Sequence, residues 1–284
     1  MTDAWFGNSI EKPGVVDGEG CRRSEAMTLK HYLRNSIPVT TAAEQITKPT
    51  EDCASPGVPL LYLWGLLQDA AIEIPGCQSK IVDLLLEIQK RPDVHITEQQ
   101  RKGALSDSQW TLWKDLPHFG HDWFDLNWWM YSSQWRNSVS RFESAETRAR
   151  IANVACADAL FAVSGIFGDR ECVEGLARLA DTLEDEAAVL DVEMIVVRGW
   201  VENAEEVMFE MCVKGLQHYR LRNAKELSED GGKEERELWK GEGGAGMERW
   251  RFWKERLGQI EEDTGLAEET REAARVSREV MERY

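Results

Sequence analysis

Apolar residues along this chain recur at three- and four-residue spacing, and no stretch sustains the alternation of a strand. From Pro59 the run Pro-Leu-Leu-Tyr-Leu-Trp-Gly-Leu-Leu-Gln-Asp-Ala-Ala-Ile-Glu-Ile is apolar on most sides until Pro75 stops it, which predicts a buried helix opened by proline. Ile81, Leu84, Leu85 and Ile88 give a second helix, capped by Ser79 and ended before Pro92. Trp110 and Trp113 share a short helix that Leu116-Pro117 terminates, because the residue before proline avoids helical dihedrals. Residues 151–168 form a central apolar helix whose only charge is Asp158, led in by the polar stretch 144–150. Asp169 caps the next helix, through Leu183, and a longer one runs from Val189 to Lys214 with Val197, Trp200, Ala204, Met208 and Met211 on one face.

Residues 220–240 are dense in charge and read as an exposed helix, after which Gly241 to Gly246 reads as a flexible break. Trp250, Trp253, Leu257 and Ile260 then mark an amphipathic helix, and a last one spans Leu266 to Tyr284. No fixed-period repeat is visible. The pattern predicts an all-α protein, a single multi-helix domain with a C-terminal amphipathic helical pair. Its expected parts are a partly ordered arm over 1–57 with one helix near Glu25 to Asn35, a helical core over 58–240, and the pair over 241–284 packed on that core.

Composition narrows the partners. A chain of 284 residues with net charge −17 repels phosphate backbones and anionic membrane surfaces, so nucleic acid is not an expected partner. Between Asp181 and Glu210 ten carboxylates face one arginine, Arg198, and the simplest reading is a solvated helix face. The six cysteines are scattered without a Cys-x-x-Cys pair, as in reduced cytosolic proteins. Met1 to Asn8 lacks the basic-then-apolar order of a secretory signal, and the helix holding Asp158 is too polar to span a membrane. The expectation is a soluble, cytoplasmic protein with no membrane insertion.

Two segments carry a family likeness: Leu112-Trp113-Lys114-Asp115-Leu116-Pro117, and Glu248-Arg249-Trp250-Arg251-Phe252-Trp253-Lys254-Glu255-Arg256-Leu257. With their Leu-Pro turn after a tryptophan and their Arg-Trp-x-x-Trp-Lys helix they resemble a fungal family catalogued as domain of unknown function 3632. The resemblance covers most of 60–284 and implies an all-helical fold and a filamentous-fungal source. It brings no catalytic residues and no activity.

Motifs that would name a reaction fail on context. Gly241-Glu-Gly243-Gly-Ala-Gly246 has the glycine spacing of a dinucleotide loop, but a charged helical segment precedes it where a strand is required. His118, His121, Asp122 and Asp125 have metal-ligand chemistry without a nominated third protein ligand, so no metal is assigned. Asp181, Glu184 and Asp185 invite comparison with terpene cyclases, yet their order is wrong and no second metal motif follows. No nucleophile elbow or phosphate-binding loop occurs, and no cofactor is expected.

Asp158 is the most informative polar residue, since a carboxylate inside a buried helix costs several kcal/mol unless paired, hydrogen-bonded or protonated. Arg136, Arg141, Arg198 or Asn153 could satisfy it structurally; otherwise it faces a pocket. Half of the twelve tryptophans fall between Trp110 and Trp135, and neighbours diverge by about 100° on a helix, so one face cannot bury them all. These features suggest a cofactor-independent cyclase or isomerase, pericyclase-like, acting on a small apolar metabolite of secondary metabolism. Its pocket would be walled by Trp64, Trp113, Trp123, Trp128, Trp129, Trp135 and Trp200, with Asp158, His118, His121 and Arg136 as catalytic groups. Folding the substrate toward a near-attack shape would then supply much of the rate. The alternative from another class is a non-catalytic helical module whose aromatics and acidic face bind a protein.

Overall fold

The computed structural model describes residues 5–6, 20–95, 97, 111–127, 136, 142, 144–167, 172–223, 225 and 238–284. Among them ten α-helices and one short 3-10 turn carry the fold, with no strand; a lone antiparallel bridge joins His95 and Thr111. None of these helices is long and apolar enough to cross a membrane. The chain divides into two compact units, 1–135 and 136–284.

In the first unit α1 (Arg23–Leu33) and α2 (Val39–Glu51) are packed helices, and α2 also lies against α4 (Gln78–Gln89). Residues 23–51 therefore do not belong to a partly ordered arm: Leu29, Ala42 and Ile46 are fully buried. Gly, Pro, Thr and charge in this stretch point to loose chain, and tertiary burial of one narrow face overrides that local weakness. Helix α3 (Gly57–Glu73) buries Leu60, Leu63, Trp64, Leu67, Ala70 and Ala71 around most of its circumference, as its apolar run requires. The helix expected at Trp113 is absent. Residues 112–115 are bend and turn, and positive φ at Leu116 and His118 reverses the chain around Pro117 before α5 (Phe119–Asn127) begins.

In the second unit α6 (Ala145–Ser164) is capped by Ser144, whose Oγ accepts from the Thr147 N–H at 3.1 Å, and it ends at left-handed Gly165. It packs on α8 (Leu190–Lys214), the longest element, which also meets α7 (Val173–Leu183) and α10 (Glu268–Met281). The approach of α6 and α8 needs Gly199, because a Cβ there would lie 2.7 Å from that of Ala155. Helix α9 (Met247–Glu262) completes the unit by burying Trp250, Trp253, Leu257 and Ile260 in one core with α7, α8 and α10. The proposed cap Asp169 and most of 220–240 lie outside the described residues.

Stretch 241–246 is not a flexible break. Ala245 is buried and donates its N–H to Leu216 O at 2.7 Å, Gly244 donates to Leu221 O at 2.8 Å, and Asn223 Nδ2 donates to Gly241 O at 2.9 Å. Gly241 lies under the Trp239 ring, where a Cβ would collide, and Gly244 has φ of +82°. Glycine serves here for close approach and a tight turn, not for looseness.

All six cysteines are free. Burial pushes the thiols of Cys172 and Cys212 up from 9.0 to about 12. The unfolded chain loses these protons first, so stability should fall as pH climbs from about 9 toward 12. Urea midpoints measured at about pH 8 and pH 10 check this, and Cys172→Ala should flatten the decline.

Candidate functional site

The residues assigned to a metabolite pocket fall in both units, and the described ones are mainly packing groups. In the first, Trp64 and Trp113 are fully buried and meet edge to face at 6.3 Å, with Phe119 at 5.5 Å from Trp64. Trp64 Nε1 donates to Pro117 O at 2.7 Å, and Trp113 Nε1 to Glu51 Oε1 at 3.1 Å. Trp123 is buried on α5. His118 and His121 occupy different surroundings. The His118 carbonyl opens α5 by accepting the Asp122 N–H at 2.8 Å, and its buried Nε2 has no partner among the described residues. His121 is exposed, 3.3 Å from Asp125. No group of three His, Cys, Asp or Glu among the described residues is placed to hold a metal.

In the second unit Trp200 is buried against Gly175, and Asp158 is buried on α6, where it is engaged in an interaction. Trp128, Trp129 and Trp135 lie outside the described residues. Arg136 spends its guanidinium on a hub at the end of α7. Its Nε and Nη2 donate to Glu193 at 2.9 and 2.8 Å, Nη1 binds Asp185, and Nη2 also reaches Asp181 O at 3.0 Å. Burial opposes the charge of Arg136, but these carboxylates outweigh it and hold its pKa above the ordinary value. Glu193 accepts further bonds from Thr182 Oγ1 and the Val189 N–H.

Next to that hub, fully buried Glu184 is gripped by Arg249 through two bonds of 2.6 Å and by Trp253 Nε1 at 2.7 Å. The remaining Arg249 nitrogen donates to the carbonyls of Leu221 and Gly244. Arg178 and Arg220 take up Glu174 and Asp181. Asp181, Glu184 and Asp185 are thus each matched by arginine, which corrects the reading of the whole acidic stretch as solvated. Sequence reasoning missed this hub, although its signal was present: Arg249 and Trp253 stand four apart, so one helix face presents both to one carboxylate.

These contacts give physical meaning to the two signature segments. Pro117 of the Leu-Pro turn receives Trp64, and the Arg-Trp-x-x-Trp helix seizes Glu184. The family model described as "Protein of unknown function (DUF3632)" matches residues 64–257, a span that holds both locks. The chain belongs to that family. No curated protein and no solved structure matches it. Within the DUF3632 span both signatures are structural locks.

What remains uncommitted is the outer face of α8. Its inner face buries Val197, Trp200, Ala204, Met208 and Cys212, which turns Glu202, Glu206 and Glu210 outward in a row at i, i+4 and i+8. Arg198 pairs Glu202 and Lys214 pairs Glu210, leaving Glu206 between two like charges. Such neighbours repel by about 0.2–0.5 kcal/mol per pair, a cost that solvent alone does not reward. Beside the ridge Phe209 stacks on Tyr284 at 4.7 Å, and Val213 is exposed. The Tyr284 phenol is pushed above its ordinary pKa by desolvation and then by the charges of Glu206 and Glu205.

Proposed function

We propose that this chain is a non-catalytic helical interaction protein whose α8 ridge receives a basic, amphipathic segment of another protein. The observation that carries the reading is the exposed row Glu202, Glu206 and Glu210 bordered by the Phe209–Tyr284 stack and Val213. A helix with lysines or arginines on one edge and leucines beside them would meet carboxylates and an apolar ledge in one contact. Engagement of the hub arginines and of the Trp64, Trp113 and Trp253 N–H groups in internal bonds supports it, since those groups are spent on the fold. A chain of net charge −17 would also steer such a partner at low salt.

The test is a fluorescence-anisotropy titration with a labelled Lys/Leu amphipathic peptide. Binding should weaken steeply between about 50 and 300 mM salt, and E206K/E210K should lower affinity at least about 10-fold. Equal binding by that variant would remove the ridge from the account.

A cofactor-free cyclase for a small apolar metabolite is the second reading, and buried Asp158 in the middle of α6 is what favours it. It requires a metabolite that raises the melting temperature of the wild type and leaves Asp158→Asn unmoved. A terpene-cyclase-like variant has less support, because arginines hold the carboxylates it would use for magnesium.

A further inference from the structure

In the second unit, α9 and α10 border an open groove of about 450 Å³ whose lining includes Lys254, Gly258, Glu262 and Arg278. Glycine inside a helix is unfavourable relative to alanine, so its presence asks for a reason. At Gly199 the reason is the neighbouring helix. At Gly258 a Cβ would meet only Arg278 Cδ at 3.6 Å, an ordinary contact with a flexible side chain, so the chain's own packing does not require glycine there.

Apart from Glu248 in its first turn, the charges along α9 run against its dipole. Arg251 and Lys254 occupy its first half, while Glu261, Glu262 and Asp263 crowd its C-terminal end, and its last turn has no basic residue. Carboxylates at a helix C-terminus are unfavourable by some tenths of a kcal/mol each. Glu261 is relieved by Arg278 at 2.8 Å. Among the described residues Arg251, Lys254 and Glu262 have no ion-pair partner.

Lys254, Gly258 and Glu262 stand at i, i+4 and i+8 along one face: a cation, a gap and an anion. This row is complementary to itself when run backwards. We propose that a second copy of this chain docks there, with two α9 helices crossing antiparallel about a two-fold axis at Gly258. Lys254 of each copy then meets Glu262 of the other, the two dipoles oppose favourably, and the missing Cβ lets the backbones approach. Glu255 would face Glu261 of the second copy, a like-charge contact that Arg278, shared between Glu261 and Glu282, offsets only in part. A second copy fits better than an unrelated partner because the row supplies both halves of its own complement. One helix pair is a small interface, so the dimer is weak and salt-sensitive.

Sedimentation velocity of the full chain over roughly 1–100 µM tests this. The wild type should move from monomer toward dimer as concentration rises. K254E and E262K should each weaken dimerisation at least about 10-fold, K254E/E262K should restore it, and G258L should abolish it while the melting temperature stays at or above that of the wild type. E206K/E210K, on the α8 ridge, should leave it unchanged, which separates this dimer from the proposed partner site. A monomer at every concentration overturns the proposal. So does a dimer indifferent to the single charge reversals, or one that the double reversal fails to restore.

Discussion

Replacing Arg249 by methionine is expected to cost about 3–5 kcal/mol, the usual penalty for leaving a buried charge without its partner. Glu184 is completely buried, and both its oxygens depend on Arg249 and Trp253. The variant also strips a donor from the Leu221 and Gly244 carbonyls, which anchor the 241–246 turn. Double replacement, Glu184→Leu with Arg249→Met, should recover a large part of the loss, because an apolar pair of similar volume avoids the desolvation of both ions. Urea unfolding of the single and double variants measures this. A single variant within about 1 kcal/mol of wild type would mean that the hub is not what closes the second unit.

The second large effect belongs to the first unit. Trp64→Ala should cost about 3–5 kcal/mol, since the ring fills a core shared with Trp113 and Phe119. Trp64→Phe should retain most of the packing and lose about 1–3 kcal/mol, because the Pro117 carbonyl then lacks its buried donor. A pocket-lining indole would behave differently: truncation would leave stability nearly intact and change ligand binding. Near-neutral Trp64→Ala would therefore return the aromatic-pocket reading to first place.

Much of the fold was legible because it follows from period. The apolar run from Pro59, the α8 stripe and the Trp250–Trp253–Leu257–Ile260 stripe each specify a helix and the face it buries, and those faces are buried as expected. Errors arose where tertiary partners decide. Residues 23–51 look loose by composition, yet α4 and α1 give α2 a surface to pack on. Glycines at 241 and 244 look like linker, yet the Trp239 ring and a positive φ demand them. Charge was the least legible feature. Glu184 and Glu202 are equivalent in sequence terms, but one sits opposite Arg249 in the core and the other on solvent, and nothing local distinguishes them. The density of tryptophan suggests a cavity; in the described residues it marks cores in which Trp64, Trp113 and Trp253 bond internally.

A partner held on the outer face of α8 should leave a footprint there. Hydrogen exchange with the Lys/Leu peptide at saturation measures it directly, since amides covered by a docked helix slow down where the contact lies. Added protection should concentrate in residues 202–214, the segment bearing Glu206, Glu210 and Val213, and should vanish in E206K/E210K. Unchanged exchange there, with new protection instead along α6 around Asp158, would contradict the docking account.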